Sequence, residues 1–211
     1  GRRARVGAAG LGFAWAATTA QQASAMQSIV VAALSADPVE RRKGEDGLRA
    51  SERQPGHTLR MLKCLAGQAA SVVPPPAALF CAQAVQKSLR RAPLPELDEA
   101  LAAVLLAATR EAAARGWQAG LIQLCLACAV TAIRAGETTL LAAFDGNASA
   151  VERLAALQLL ALVAEELHSP ASKISVAPAR PAALRAALVS QADATLATLH
   201  RWFEEAAAAA A

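Results

Sequence analysis

The ten prolines of this chain of 211 residues all fall at the ends of segments whose residues suit helices. The segments are rich in Ala and Leu, which head the helix-propensity scale, whereas aromatic residues make up only 3% of the chain. Strands prefer β-branched and aromatic residues, so the composition argues against sandwiches, barrels and βαβ folds. Hydrophobic residues are 55% and charged residues 18%, the opposite of the balance that produces disorder. The sequence therefore predicts a folded, all-α protein.

The proline and glycine positions predict where the helices begin and end. Asp37-Pro38 places a capping carboxylate before a first-turn proline, and Gly44 and Gly47 should weaken the helix that follows. Residues 169–181 contain three prolines and predict a loop. After a first helix that starts near residue 27, we expect helices at about 38–52, 57–70, 77–91, 97–108, 117–134, 137–144, 149–168 and 182–205.

These helices form pairs that start near residues 27, 57, 96 and 137, a spacing close to that of HEAT and armadillo repeats. We therefore predict a right-handed HEAT-type helical-repeat solenoid over residues 26–205, followed by a poly-Ala tail at 206–211. A compact helical bundle is the alternative. Ending the array in six alanines should leave it marginally stable and prone to self-association, because solenoid ends need polar caps.

Residues 1–25 allow two interpretations. A basic start, an apolar run and Ala23-Ser24-Ala25 imitate a secretory signal. The interpretation we favour places the true start at Met26, with residues 1–25 an artefact or a disordered leader. We expect no membrane span there, because Gly, Ala, Thr and Gln dominate.

Apolar residues are spaced to cover one face or more of several predicted helices. Residues 121–130 and 149–168 are apolar nearly all round, as expected for helices with neighbours on several sides, and 121–130 is too short to cross a bilayer. On the opposite face of the 97–108 helix and the turn that follows it lie Asp98, Glu99, Thr109 and Arg110, which we expect to face solvent. The predicted inward residues include Leu97, Leu101, Val104, Leu105 and Ala108 in that segment, and Leu184, Leu188, Leu196, Leu199 and Phe203 in the last helix.

The charges are spread along the chain rather than concentrated on one face. The net charge is +4, and Arg2, Arg3 and Arg5 supply three of these charges. Without a basic face and stacking aromatics, we expect no nucleic-acid binding. The clusters Arg41-Arg42-Lys43 and Lys87 to Arg91 fit either solvated faces that balance helix dipoles or a protein-binding surface.

No motif in the sequence indicates catalysis or a cofactor. Phosphate-binding, nucleophile-elbow and zinc-protease patterns are absent, so we expect neither an enzyme nor a bound cofactor. Glu165-Glu166 predicts a solvated rim near a helix end. Cys125 and Cys128 lie in a C-x-x-C pattern, but a structural zinc needs four ligands and the other cysteines are single and distant. We interpret the pair as buried core cysteines in a reducing compartment.

Five segments, taken in order, resemble the N-terminal repeats of the importin-β superfamily, and most closely its transportin-SR branch. Leu34 to Pro38 matches an "L-x-x-D-P" opening, Phe80 to Leu89 is similar to "F-A-A-Q-x-x-x-x-K-I", and Gln123 lies in a stretch similar to "T-Q-L-C-L-A-L-A". The resembling segments are 32–48, 80–89, 94–108, 121–130 and 154–167, and the likeness covers roughly residues 27–205.

The resemblance implies the N-terminal part of a nuclear transport receptor that shuttles between nucleus and cytoplasm. Its partners would be Ran-GTP, cargo proteins and nucleoporins. The helices at 38–52, 77–91 and 117–134 would form the concave surface, with Ran contacts at Arg42, Arg49, Gln83, Lys87 and Gln123. A generic HEAT scaffold that does not bind Ran is the alternative.

Three positions depart from the family pattern. Gly47 stands where the family has Trp, Ser51 where Phe is usual, and Ala164 where Pro precedes the glutamate pair. Losing a large buried aromatic costs about 3–5 kcal/mol in ordinary cores. We therefore expect an under-packed first repeat.

The first testable prediction concerns Cys125 and Cys128, which we expect to be buried, reduced and free of metal because apolar residues flank both. Protein washed with a chelator should contain no stoichiometric zinc by elemental analysis. One equivalent of zinc that survives the wash would contradict this interpretation.

Overall fold

A computed structural model describes residues 9–54, 56–66, 73–91, 99–136, 138, 149–169, 174 and 176–210, and for residues 9–20, 99, 100 and 210 it describes the backbone only. These residues form helices and connections, and no strand occurs among them. The helices are α1 (Ala9–Ala33), α2 (Pro38–Glu52), α3 (His57–Leu65), α4 (Pro75–Arg91), α5 (Glu99–Ala114), α6 (Gln118–Ala135), α7 (Ala150–His168), α8 (Ala179–Ser190) and α9 (Ala192–Ala210).

The all-α prediction is confirmed for the described residues, and most helix boundaries lie within a few residues of their predicted positions. The helix expected at 137–144 and the residues Leu97 and Asp98 fall outside the described part. Helix α3 ends at Leu65, and the predicted continuation beyond residue 66 also falls outside it.

Both ends of the chain differ from the expected boundaries. Helix α1 includes residues 9–25 and continues without a break past the start predicted at Met26. The single helix predicted at 182–205 is wrong, because α8 ends at Ser190 and α9 begins at Ala192. Helix α9 then continues through the alanine tail to Ala210.

Side-chain and glycine caps set the helix ends. Asp37 Oδ1 accepts hydrogen bonds from the backbone N–H groups of Val39 at 2.7 Å and Glu40 at 3.4 Å, which satisfies two N-terminal donors of α2. Ser149 and Glu152 form a reciprocal capping box at the start of α7. Gly136 ends α6 in the left-handed region with φ of 74°, which disfavours residues with a side chain.

The chain divides into two compact units, residues 1–82 and 83–211, with the division inside α4. In the first unit, α1 packs against both α2 and α3. Buried residues recur on one face of α1 and on the facing sides of α2 and α3. They include Ala23, Met26 and Val30 of α1, Gly44 and Leu48 of α2, and Met61, Leu62, Cys64 and Leu65 of α3.

In the second unit, α6 is the central helix and packs against α5, α7 and α8. Helix α5 also packs against α7, and α8 packs against α9. From Ala127 to Ile133 every residue of α6 is buried, which explains why the sequence here is apolar nearly all round, with Thr131 the one polar residue of this stretch. The prediction of a helix with several neighbours is confirmed.

Helix α6 is also the one described helix that is long and apolar enough to cross a membrane. Residues 121–130 alone are too short to cross a membrane, but the whole helix, Gln118–Ala135, is longer than that stretch. Its surface is mostly covered by the neighbouring helices, as in the core helix of a protein that is not in a membrane.

Two expectations about exposure are wrong. Thr109 was expected on the solvent face of α5, but it is fully buried, and its hydroxyl donates to the carbonyl of Leu105 at 2.8 Å. This bond satisfies the hydroxyl within the helix, so a polar residue can lie in the core. The predicted apolar face of the last helix is divided, because Leu184 is buried in α8 whereas Leu196 and Phe203 of α9 are 62% and 73% exposed.

Gly44 lies where α2 meets the end of α1, and its role differs from the helix weakening that the sequence indicated. A Cβ atom at position 44 would lie 2.1 Å from the backbone nitrogen of Ala33, far inside van der Waals contact. At Gly47 the nearest atom is Cγ2 of the Ile29 side chain, at 3.1 Å. Close contact of the two helix backbones therefore requires glycine at 44 but not at 47.

We predict opposite outcomes for two matched alanine substitutions. Both remove a helical glycine, which favours the helix by about 1 kcal/mol. Gly44→Ala must displace backbone and should lower the free energy of unfolding by about 1–3 kcal/mol, the usual cost of overpacking. Gly47→Ala should be neutral or stabilising, since the Ile29 side chain can turn aside. Equal urea midpoints for the two variants would contradict this assignment.

Candidate protein-interaction surfaces

The two Ran-contact candidates of the first unit lie on the outer face of α2. Arg42 and Arg49 are exposed and two helical turns apart. The Arg49 guanidinium pairs with Asp46 at 3.1 Å and Glu45 at 3.9 Å, whereas Arg42 forms no ion pair within the described chain. Helix α2 carries four basic and four acidic side chains, so its outer surface is balanced in charge rather than basic. Arg42 is the candidate whose charge is available to a partner.

The other three candidates belong to the second unit. Gln83 and Lys87 are exposed one turn apart on the same face of α4. Gln123 is half-buried on α6, a helix otherwise engaged with its neighbours. Lys87 has no ion pair among the residues that the structure describes, so this face of α4 presents a cation and an amide to solvent.

All four cysteines are buried and free. Burial raises the pKa of Cys64 and Cys128 to about 12, and it raises the pKa of Cys81 and Cys125 further. Sγ of Cys125 donates weakly to the Ala155 carbonyl at 3.7 Å. Thiols with raised pKa values are poor nucleophiles and poor metal ligands. Within the described residues no group of three or more His, Cys, Asp or Glu side chains could hold a metal.

Ser51 takes part in a polar cluster at the end of α2. Its hydroxyl lies 2.9 Å from Nδ1 of His57, and Arg60 donates to both the hydroxyl and the carbonyl of Ser51 at 3.3 Å. Burial lowers the pKa of His57, although the nearby Glu52 carboxylate opposes that shift. Hydrogen bonds with His57 and Arg60 therefore satisfy the Ser51 hydroxyl at this buried position. The importin-β superfamily, which the sequence resembles, usually has Phe there.

The solvated rim expected at Glu165-Glu166 is correct for Glu165 and wrong for Glu166. Glu165 is exposed, but Glu166 forms an ion pair with Arg90 in which both side chains are largely shielded from water. Adjacent helical residues point about 100° apart, so one carboxylate can reach solvent while its neighbour faces another helix. The Arg90–Glu166 pair links α4 to α7.

Four other arginines donate hydrogen bonds to backbone carbonyls in the last turns of neighbouring helices. We call these the end-capping arginines. Helix C-termini leave carbonyls without an intrahelical partner and carry partial negative charge. A guanidinium can both donate a hydrogen bond to such a carbonyl and offset the negative charge. In the first unit Arg60 donates to Ser51 O of α2 at 3.3 Å. In the second, Arg134 donates to Leu89 O of α4 at 2.7 Å, Arg180 to Ala135 O of α6 at 2.7 Å, and Arg185 to Leu167 O of α7 at 2.6 Å.

Sequence reasoning missed the end-capping arginines. From the sequence, the basic clusters fit either solvated faces that balance helix dipoles or a protein-binding surface, and none of the four end-capping arginines belongs to these clusters. Arg134 does lie in the last turn of α6, but its guanidinium reaches α4 instead. Single arginines at positions 60, 180 and 185 carry no local pattern that distinguishes them, because their acceptors are 9 to 45 residues away in sequence.

Large apolar side chains are exposed on three helices of the second unit, and on α8 Val189 is 76% exposed. Val151, Leu154 and Leu157 form a stripe on α7. On α9, Leu196 and Phe203 are exposed, while Trp202 is buried with its ring 5.6 Å from the Arg153 guanidinium. An exposed stripe of this kind is one form that a protein-binding surface takes.

Comparison with known proteins identifies no relative. The chain matches no protein-family profile, no curated protein and no solved structure.

We predict that Arg134 contributes to stability through its bond to α4. Arg134→Met keeps the length of the aliphatic chain but leaves the Leu89 carbonyl without its charged donor, which should lower the free energy of unfolding by about 1.5–3 kcal/mol. The matched control is Arg115→Met, which removes an exposed pair with Glu111 one turn away and should cost less than about 0.5 kcal/mol. Urea unfolding followed by circular dichroism compares the two. Equal losses would contradict a special role for Arg134.

Proposed function

We propose that this chain is the N-terminal part of a nuclear transport receptor of the importin-β type, built from HEAT repeats and binding Ran in its GTP form. The observation that carries the proposal is the ordered series of five segments that resemble that superfamily. Segments 80–89, 121–130 and 154–167 each lie within one described helix, α4, α6 and α7. A series in order is more specific than any of its members.

The end-capping arginines support the repeat part of the proposal. The sequence predicts four helix pairs, which start near residues 27, 57, 96 and 137. The second helices of these pairs are α2, α4, α6 and α7, respectively. In each of these four a carbonyl of the last turns accepts a bond from an arginine of a later helix. The shared position of the acceptors supports a repeated unit, whereas the donors lie at unequal distances along the chain, 9, 45, 45 and 18 residues after their acceptors.

The proposed Ran contacts fall into two sets. In the first unit they are Arg42 and Arg49 on α2, and Arg42 is the stronger candidate because Asp46 and Glu45 already engage Arg49. In the second unit they are Gln83 and Lys87 on α4 and Gln123 on α6. Cargo proteins and nucleoporins would be further partners of a receptor that moves between nucleus and cytoplasm, and the proposal includes neither a cofactor nor catalysis.

A second candidate is a HEAT-type scaffold that binds some other protein. The balanced charge of α2 favours it, since four carboxylates accompany the four basic side chains on that helix. Such a surface lacks the single sign of charge that speeds and orients a charged partner. The scaffold and the receptor differ in whether binding depends on the nucleotide of Ran.

We predict that the full chain binds Ran loaded with a non-hydrolysable GTP analogue, and not Ran loaded with GDP, in biolayer interferometry. Arg42→Glu and Lys87→Glu should each weaken this binding at least about tenfold, because reversing a charge at an interface removes an attraction and adds a repulsion.

The matched control is Arg41→Glu, which reverses the neighbouring exposed charge on α2 and should change the affinity less than about threefold. Equal binding to both nucleotide forms, or none to either, would reject the receptor in favour of the scaffold. Circular dichroism melts of the variants exclude unfolding as the cause of a loss.

A further inference from the structure

The side chain of Ser51 joins the end of α2 to the start of α3. Its hydroxyl oxygen lies 2.9 Å from Nδ1 of His57, the first residue of α3, and 3.3 Å from a guanidinium nitrogen of Arg60. Arg60 also donates to the Ser51 carbonyl at 3.3 Å and so caps the C-terminus of α2. We call Ser51, His57 and Arg60 the Ser51 cluster.

The charge of His57 decides whether these contacts are compatible. A guanidinium can only donate hydrogen bonds, so the Ser51 oxygen accepts from Arg60 and its own O–H is left to donate. Neutral imidazole can accept that O–H at Nδ1, whereas imidazolium carries donors on both ring nitrogens and accepts nothing. Protonated His57 would therefore deprive the buried hydroxyl of its acceptor and place two cationic donors around one oxygen.

The surroundings of His57 favour its neutral form. The ring is half-buried, and burial is the main reason why its pKa lies below the ordinary value of 6.5. The charge of Arg60 and the positive N-terminal end of α3 act in the same direction. The Glu52 carboxylate opposes them, but it is exposed, and solvent weakens its attraction.

No other acid of the first unit is placed to reverse this preference. Helix α1 and residues 75–82 of α4 have no charged side chain, and the remaining charged side chains of α2 are exposed on its outer face. Arg53 at the end of α2 and Lys63 on α3 are cations, which do not favour protonation. The sequence has no acidic residue in the parts of this unit outside the described ranges, which are residues 1–8, 55 and 67–72.

From this geometry we propose that the Ser51 cluster is a pH-sensitive contact, which holds α2 and α3 together near neutral pH and loosens them in mildly acidic solution. Protonated His57 repels Arg60, and displacement of Arg60 also removes its bond to the carbonyl at the end of α2. The proposal does not depend on Ran binding, since none of the candidate Ran contacts belongs to the cluster.

The sign of the pH dependence follows from the direction of the pKa shift. The pKa of His57 is lower in the folded unit than in the unfolded chain, so unfolding in mild acid takes up a proton. The stability that neutral His57 contributes is complete above about pH 6.5. It decreases as the pH falls from there to the lower pKa of the folded unit.

The first test is a proton NMR titration of the three histidine rings in the full chain. The signal that both His168→Gln and His200→Gln retain belongs to His57, and its midpoint should lie below pH 6.5. Arg60→Met removes the neighbouring cation and should raise that midpoint. A His57 midpoint at or above 6.5, or one that Arg60→Met leaves unchanged, would overturn the proposal.

The second test is urea unfolding of the full chain at about pH 7.5 and about pH 5, followed by circular dichroism. His57→Gln keeps an acceptor for the Ser51 hydroxyl but does not titrate. It should reduce the acid-induced decrease of the urea midpoint by at least about 0.3 M relative to the wild type. The matched control is His200→Gln, which removes an exposed histidine of α9 and should leave that decrease unchanged. Equal decreases in the two variants would contradict a role for His57.

Discussion

Hydrogen bonds from arginines to carbonyls at the C-terminal ends of other helices are the directed contacts that orient α2, α4, α6 and α7 against their neighbours. A core made largely of Ala and Leu specifies one packing arrangement less well than a core of varied side-chain shapes. A bond from Arg134 to Leu89 O, or from Arg185 to Leu167 O, specifies one register between two helices. The carbonyls gain a partner that their own helix cannot supply. A few directed bonds therefore define an orientation that apolar burial alone leaves loosely specified.

Much of the fold could be predicted from the sequence because the residues that begin and end most of its helices act locally. Asp37 and Pro38 mark the start of α2, and the predicted span of 38–52 agrees with the structure at both ends. The apolar sequence of α6 predicted neighbours on several sides, which the packing of α5, α7 and α8 provides. The break at Gln191 was missed because neither Pro nor Gly marks it, so helix propensity alone indicated one continuous helix.

The candidate sites were less predictable, because their geometry depends on residues far apart in sequence. Glu166 and Thr109 were expected in solvent from their polarity, but Arg90 satisfies the first and the Leu105 carbonyl the second. Because Ser51 stands where the importin-β superfamily usually has Phe, the sequence predicted an under-packed first repeat. In the structure it is buried and hydrogen-bonded to His57, which local pattern could not show. Polarity predicts exposure only where no partner is in reach.

Because all four thiols are buried, their reactivity can report how often the helices around them separate. Cys64 and Cys81 lie in the first unit, and Cys125 and Cys128 in the second. Burial covers each sulfur and raises the thiol pKa, so reaction with an alkylating reagent should be slow while the surrounding helices stay packed. The rate at which each pair becomes labelled therefore measures how often its own unit opens. The same shielding protects the thiols from oxidation while the protein is folded.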